Sequence, residues 1–191
     1  MNLAYRLILA SKSPRRKELL DTLDIPFQVE TYPIEEDFPE ALPPEEVAEF
    51  LAIKKAKGFR QLQQSELLLT SDTTVILNAK ILGKPANRTE AIAMLTALSG
   101  TRHAVVSGVC LTTSTRQVSF SEKTAVNFRR LNPDEIEYYV DQYHPFDKAG
   151  AYGIQEWIGK IGITSIEGDY YNVVGLPLQS LYRQLQSNFS A

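Results

Sequence analysis

The chain has 191 residues, of which 43% are hydrophobic and 23% are charged. These values are typical of a globular domain and exclude disordered, collagen-like and coiled-coil chains. Its 20 lysines and arginines against 23 aspartates and glutamates give a net charge of -3, which argues against a protein whose main task is to coat nucleic acid or an anionic membrane.

One domain and a cytoplasmic location are the starting expectations. A chain of this length buries a substantial core without a second domain, so we predict a single domain over residues 1–191. The N-terminal sequence MNLAYRLILASKSPRR places its positive charges after a short apolar run, which is the reverse of a secretory signal. No run approaches the roughly 18 apolar residues of a membrane span, and the lone Cys110 cannot form an intramolecular disulfide.

The first predicted elements are a buried strand over residues 3–10 and a helix that begins after Ser13. Ser13 suits the N-cap and Pro14 the first helical position. A strand that leads through a polar loop into a capped helix directs backbone N–H groups, with Arg15 and Arg16, at one spot, which suits an anion such as phosphate. An ordinary capped surface helix with solvated arginines is the alternative, because no Walker-type or GxGxxG motif is present.

A second strand is predicted over residues 27–31, followed by an acidic, proline-rich segment over residues 33–44. Such a segment is most often an exposed loop in which Glu35, Glu36 and Asp37 are solvated. Beside a phosphate site, however, the same carboxylates suit Mg²⁺ or Mn²⁺, hard cations that prefer oxygen ligands. Both interpretations stay open from these residues alone.

A long helix is predicted over residues 43–64 from apolar residues at helical spacing. Three lysines lie late in this helix: Lys54, Lys55 and Lys57. Lysines near a helix C-terminus usually just complement the helix dipole. A lysine that reaches a phosphate is the less common alternative.

The most unusual segment covers residues 67–85, where a small polar box interrupts an apolar strand. Burial of the strand on both faces accounts for residues 67–69 and 75–77, but it does not account for Asp72 between them. An ionised aspartate inside a sheet is costly unless it is paired, hydrogen-bonded or bound to a metal. Asp72 is therefore the leading candidate for a functional residue.

The second half of the chain has clear helix and strand patterns. The predicted elements are a turn at 78–80, helices at 87–98, 132–143 and 178–185, and strands at 103–112 and 117–129. Residues 146–155 and 168–177 are rich in small residues, which is typical either of irregular loops or of backbone close to a ligand. His103 is a possible catalytic base, although a single histidine at a strand edge is more often structural.

Six charged residues together point to chemistry at phosphorus: Arg15, Arg16, Glu36, Lys55, Asp72 and Lys84. Metal-assisted attack on a phosphorus centre needs cations on the phosphate oxygens, carboxylates for the metal and a base for a water molecule. This combination makes phosphoryl chemistry the leading class.

Several blocks of the sequence resemble one family. Residues 10–16 are similar to the N-terminal signature of the Maf family of nucleoside triphosphate pyrophosphatases, and residues 71–75 resemble its aspartate box. Residues 83–85, 98–100 with His103, 147–155 and 171–177 match further blocks in the same order. The resemblance covers nearly the whole chain.

The resemblance implies a fold and an activity. The fold is α/β, with a mixed twisted sheet, flanking helices and two lobes around a deep cleft. The activity is hydrolysis of a nucleoside triphosphate between its α and β phosphates, with Mg²⁺ or Mn²⁺ as the cofactor. A homodimer is the implied assembly. The net charge and the absence of a long apolar run predict no nucleic acid or membrane partner.

Site residues follow from the same resemblance, position by position. Asp72 would activate water and, with Glu36, bind the metal. The residues that would contact the substrate are Ser11, Ser13, Arg15, Arg16, Lys55, Thr73, Lys84 and Gln155.

The block at residues 147–155 is similar to that of the branch that acts on dTTP and UTP. The specificity positions of this branch fall on Arg15, Thr73 and Gln155. A glutamine amide both donates and accepts, which suits the donor and acceptor edge of uracil and thymine.

The sequence departs from the family pattern at three places. Ser71 stands where Ala is usual, Thr74 where Val or Ile is common, and Glu156-Trp157 follows Gln155 where Gly is more usual.

Two other functions are alternatives to hydrolysis of dTTP and UTP. One is the same reaction on 7-methyl-GTP or a modified pyrimidine nucleotide, and the other is a non-catalytic nucleotide-binding regulator of cell division.

Overall fold

The structure, a computed structural model, describes residues 2–191, so that Met1 of the predicted domain lies outside the described residues. Its strands are β1 (Arg6–Leu9), β2 (Phe27–Val29), β3 (Glu66–Leu77), β4 (Lys80–Leu82), β5 (Arg102–Thr112), β6 (Gln117–Phe128) and β7 (Ile163–Glu167). Its α-helices are α1 (Pro14–Asp21), α2 (Pro44–Gly58), α3 (Arg88–Leu98), α4 (Pro133–Tyr143), α5 (Trp157–Gly162), α6 (Tyr170–Val174) and α7 (Leu178–Phe189). A short 3₁₀ helix covers Ala149–Ala151.

The strands form one mixed sheet in the order β2-β1-β3-β5-β6-β7, with β4 paired to β3. β1 pairs in parallel with both β2 and β3. The β3–β4 and β6–β7 pairs are antiparallel. The predicted α/β class, with a mixed sheet and flanking helices, is confirmed.

The described chain divides into two compact units. The first unit comprises residues 2–73, 107–122 and 175–191, and the second comprises residues 74–106 and 123–174. Three strands, β3, β5 and β6, contribute residues to both units. A single domain over residues 1–191 stays a prediction.

In the first unit, a cluster of apolar side chains joins α2 to the sheet. Its buried members are Ile8, Ala10, Ala52, Ala56, Leu68 and Cys110. A β-carbon on Gly108 of β5 would lie only 2.3 Å from the backbone of Ala48 in α2. The strand and the helix approach so closely here that only glycine fits.

Helix starts agree with their sequence signals. Ser13 caps α1, with its Oγ accepting from the Arg16 amide at 3.4 Å. Glu135 accepts from the Asn132 amide at 2.9 Å, as a capping box at the start of α4 requires. Both predicted caps are confirmed. The predicted turn at residues 78–80 also forms, with Asn78 and Ala79 between β3 and β4 and Lys80 as the first residue of β4.

Several predicted boundaries are wrong because distant contacts decide them. α2 ends at Gly58 rather than at residue 64, since Phe59 adopts an extended backbone and Arg60 turns to bind Glu30 and Glu66. α7 continues past residue 185, because Phe189 is buried. The first strand begins at Arg6 rather than at residue 3.

Regular structure also forms in segments that carry no clear sequence pattern. The loop predicted over residues 168–177 contains α6, in which Asn172 is buried. Residues 163–167 form β7, which pairs with β6 around a bulge. None of the helices in residues 2–191 has the length and apolar character that a membrane span requires.

A buried carboxylate anchors the start of β3. The Glu66 side chain is only 1% exposed and accepts from Arg6 Nη2 at 2.6 Å and from Arg60 Nη1 at 2.8 Å. The amide of Gln63 also donates to it, at 2.9 Å. The hydrogen bonds from Arg60 stabilise the charged form and lower the pKa of Glu66 to about 2.

Replacing Glu66 with Gln should lower the free energy of unfolding by about 2 kcal/mol at neutral pH, because hydrogen bonds to charged groups are each worth about 1.5–3 kcal/mol. The folded pKa lies below the ordinary value of 4.5. The carboxylate therefore stabilises the fold above that ordinary value and loses this contribution as the pH falls towards 2.

Urea unfolding at a series of pH values tests this prediction. The wild type should lose stability across the acidic window more steeply than Glu66→Gln. Glu137→Gln removes an exposed ion pair with Arg88 and should change stability by less than about 1 kcal/mol. Equal acid sensitivity of the wild type and Glu66→Gln would contradict the assignment.

Candidate active site

Asp72 lies within β3, and a lysine from α2 reaches it. Lys55 Nζ is 2.6 Å from Asp72 Oδ1, and the two side chains are only 11% and 12% exposed. Thr70 points to the same face of the strand, since side chains alternate, and its hydroxyl donates to the Ala52 carbonyl of α2 at 2.7 Å. Asp72 is therefore a paired carboxylate, one of the three conditions under which such a residue is tolerated in a sheet.

A second carboxylate shares the same ammonium group. Glu36 Oε1 lies 2.8 Å from Lys55 Nζ, and the Glu36 side chain is 45% exposed. The hydroxyl of Tyr32, in the same loop, donates to the Lys55 carbonyl and ties the loop to α2. One carboxylate of the acidic loop thus joins Asp72 at Lys55.

The guanidinium of Arg16 is held by three oxygen atoms. Its Nε donates to the Gly175 carbonyl at 2.9 Å, Nη2 donates to Thr73 Oγ1 at 3.1 Å, and Nη1 donates to Ser11 Oγ at 3.5 Å. Burial lowers the pKa of Arg16 below its ordinary value, and the negative charge of Asp72 offsets part of this shift. The three hydrogen bonds fix the orientation of the guanidinium group.

Hydroxyl groups surround this arginine. Ser11 Oγ also accepts from the Ser13 amide at 3.2 Å. Thr73 Oγ1 lies 2.8 Å from the hydroxyl of Ser107, which is fully buried on β5. Ser107 therefore supports the threonine that binds Arg16.

The first unit contains most of the predicted site residues, and hydrogen bonds or ion pairs connect them in two groups. The first group is Glu36, Lys55 and Asp72, and the second is Ser11, Ser13, Arg16 and Thr73. Arg15 lies in the same unit, half-buried on α1. The part of the predicted site that lies in the first unit therefore contains two connected cations, Arg16 and Lys55, and two carboxylates, Glu36 and Asp72.

Glu36 and Asp72 are the residues that could hold a divalent metal. Residues 2–191 contain no group of three or more His, Cys, Asp or Glu side chains placed to hold a metal ion. Mg²⁺, however, usually binds one or two carboxylates and completes its coordination with waters and substrate phosphates. Two carboxylates that already converge on one cation, Lys55, fit this donor set.

Two predicted substrate contacts lie in the second unit. Lys84 is exposed between β4 and α3. Gln155 precedes α5, and its buried Oε1 has no hydrogen-bond partner within residues 2–191. The roles of both residues stay predictions.

His103 is a buried aromatic-cluster residue. Its Nε2 lies 2.7 Å from the Tyr152 hydroxyl, and its ring stacks on Phe128 at 5.7 Å. Burial lowers its pKa to about 4, so the imidazole is neutral at pH 7. This environment favours the structural interpretation over that of a catalytic base.

The chain matches a known protein family over most of its length. The family model described as Maf-like protein matches residues 6–188. The chain belongs to the Maf-like family. The resemblance predicted from the sequence blocks is confirmed.

Curated relatives of this Maf-like chain are named dTTP/UTP pyrophosphatase. One from Bacteroides thetaiotaomicron is 50% identical over 184 residues, which cover 95% of each chain. One from Phocaeicola vulgatus is 51% identical over the same length and coverage. A third, from Porphyromonas gingivalis, is 50% identical over 186 residues, which cover 95% of this chain and 94% of the relative.

Among solved structures, a HAM1 protein from Coxiella burnetii is similar to part of this chain. The alignment covers 66% of this Maf-like chain and 74% of that chain, with a TM-score of 0.44 and 17% sequence identity.

Two supporting groups of the Maf-like site were missed by sequence reasoning. The Gly175 carbonyl and the Ser107 hydroxyl lie far along the chain from Arg16 and Thr73, which they bind. A buried serine in an apolar strand was the available signal for Ser107, since a buried hydroxyl needs a partner. Nothing in the sequence identifies a particular backbone carbonyl as the partner of Arg16.

Proposed function

We propose that this chain is a nucleoside triphosphate pyrophosphatase that hydrolyses dTTP and UTP to a nucleoside monophosphate and pyrophosphate. Relatives about 50% identical over 95% of the chain carry the name dTTP/UTP pyrophosphatase, which supports the substrates. The structural observation that carries the reaction class is the buried Asp72 carboxylate, held by Lys55 at 2.6 Å.

Asp72 is the proposed base for the attacking water. Lys55 holds Oδ1, which leaves Oδ2 to accept from the water. The water oxygen bonds to the α phosphorus while a proton of the water passes to Asp72. The bond from the α phosphorus to the oxygen that bridges the α and β phosphates breaks, and pyrophosphate leaves. A positioned general base contributes typically 10²–10⁴-fold to a rate.

Arg16, Lys55 and Lys84 are the proposed contacts of the triphosphate. The Gly175 carbonyl fixes Arg16 before any phosphate arrives, so that little conformational entropy is lost when it binds. Ser11 and Ser13 lie at the start of α1, where the positive end of the helix dipole favours an anion. Arg15, Thr73 and Gln155 are the proposed contacts of the base.

A divalent metal is part of the proposal, with Glu36 and Asp72 as the residues that would hold it. Mg²⁺ or Mn²⁺ would neutralise negative charge that develops on the phosphate oxygens. Glu36 is the more exposed of the two carboxylates and lies in a loop.

A homodimer and a cytoplasmic location also belong to the proposed function.

A panel of nucleotides tests the proposal. Purified protein should release pyrophosphate from dTTP and UTP faster than from the other triphosphates when Mg²⁺ or Mn²⁺ is supplied. An excess of EDTA should abolish the release, and restored metal should recover it. Preference for 7-methyl-GTP would replace the proposed substrate, and tight nucleotide binding without turnover would replace the proposed reaction.

A further inference from the structure

A buried polar network lies at the start of α5 in the second unit. The hydroxyl of Tyr139, a fully buried residue of α4, donates to Glu156 Oε2. The other oxygen of Glu156 is 3.1 Å from Lys148 Nζ, and this ammonium group also lies 2.8 Å from Asp147 Oδ1. The Lys148 side chain is only 10% exposed and that of Glu156 22%. Such a network is stable only while every member keeps its partners.

The network holds the backbone immediately before Gln155. The Gly153 amide donates to the Tyr139 hydroxyl at 3.1 Å, and the Glu156 amide donates to the Gly153 carbonyl at 3.1 Å. A β-carbon on Gly153 would lie 2.9 Å from Glu156 Cδ, so the glutamate side chain covers this turn. Both ends of the turn at residues 153–156 are therefore fixed by Tyr139 and Glu156.

Gln155 lies inside this turn and carries an unsatisfied polar atom. Its Oε1 is buried and has no hydrogen-bond partner among the residues that the structure describes. A buried acceptor without a partner is energetically unfavourable. A ligand donor, such as the N3–H group of thymine or uracil, would satisfy this atom.

We propose that Glu156 is a positioning residue that sets which base the site selects. The inference rests on the proposed function, in which Gln155 contacts the base. An amide donates on one side and accepts on the other, so a glutamine free to turn over pairs with cytosine as readily as with uracil. Glu156, through Tyr139 and Lys148, holds the turn at residues 153–156. In this position the side-chain oxygen of Gln155, Oε1, faces the N3–H donor of thymine or uracil.

Loss of the Glu156 carboxylate has a specific consequence. The Tyr139 hydroxyl and the Lys148 ammonium lose an acceptor in a buried environment, and the turn relaxes to let water reach them. The Gln155 amide then adopts both orientations. Selectivity for dTTP over CTP falls, while the groups in the first unit that act on the phosphates are unchanged.

The test compares kcat/KM and dissociation constants for dTTP and CTP in matched variants. Glu156→Ala removes the carboxylate, Tyr139→Phe removes the hydroxyl from the same network, and Glu156→Gln keeps an acceptor but removes the charge. Glu137→Gln and Tyr138→Phe make the same chemical changes at exposed positions of α4. Thermal melting of each variant reports its stability separately.

We expect the ratio of kcat/KM for dTTP to that for CTP to fall about tenfold in Glu156→Ala and Tyr139→Phe, mainly through KM. Glu156→Gln should retain part of the selectivity, and both controls should retain all of it. A lower melting temperature with an unchanged ratio would overturn the inference, because Glu156 would then be only structural. If Glu156→Ala does not fold, Glu156→Gln and Tyr139→Phe decide.

Failure of the proposed function gives a different result. A wild-type protein that cleaves no triphosphate contradicts the pyrophosphatase proposal, yet its dissociation constants for dTTP and CTP still report base selection. A wild type that binds both nucleotides equally overturns the role of Glu156 as well. An active, selective wild type with equally selective Glu156 and Tyr139 variants overturns the inference alone.

Discussion

Asp72→Asn is expected to lower kcat for pyrophosphate release from dTTP about 10³-fold, because an amide has nearly the same shape as a carboxylate but cannot take the proton of the attacking water. The fold should survive the change, since Lys55 retains Glu36 as a partner at 2.8 Å. Steady-state kinetics at saturating substrate and metal, with a thermal melt of the same preparation, measure both effects.

The matched control for this variant is Asp141→Asn. Asp141 is an exposed aspartate of α4 that pairs with Arg88, and it is not among the predicted site residues. Its replacement should leave kcat within about twofold of the wild type, as expected for an exposed ion pair. Full activity of Asp72→Asn would show that another group activates the water.

Arg16→Lys is expected to lower kcat/KM for dTTP about 10²-fold, comparable to the loss of one preorganised donor at a reacting group. A guanidinium binds the Gly175 carbonyl and Thr73 Oγ1 through two different nitrogen atoms while it presents its remaining N–H groups. A lysine has one ammonium group and cannot keep this geometry.

Arg102→Lys is the control for the arginine variant. Arg102 forms an exposed ion pair with Glu167, and neither residue is among the predicted site residues. This change should leave kcat/KM unaltered for dTTP and UTP. An Arg16→Lys protein with wild-type kinetics would mean that Arg16 stabilises the loop at Gly175 without contact to the substrate.

Local sequence chemistry predicted the parts of the fold that depend on neighbouring residues. The cap at Ser13 and the capping box at Asn132 form as expected, because their partners lie within one helical turn. The long α2 was predicted in type and position, but not at its end. The helix ends at Gly58, and Arg60 binds the buried carboxylate of Glu66, which reaches this position only when the sheet has folded.

The candidate site was predicted in composition rather than in connectivity. A carboxylate in an apolar strand requires a partner on energetic grounds, so Asp72 was identifiable from the sequence alone. The sequence did not specify that Lys55 would pair with both Asp72 and Glu36, since helix packing brings the three together. Ser107 and the network of Tyr139 with Glu156 are long-range contacts of the same kind.

The products of dTTP hydrolysis test the central claim most directly. Phosphorus NMR of a reaction with dTTP and Mg²⁺ distinguishes cleavage between the α and β phosphates from loss of the terminal phosphate. The proposed function predicts dTMP and pyrophosphate in equal amounts, with no dTDP at any time, and no reaction in Asp72→Asn on the same time scale. Accumulation of dTDP and orthophosphate, or dTTP that stays intact with the wild type, would contradict it.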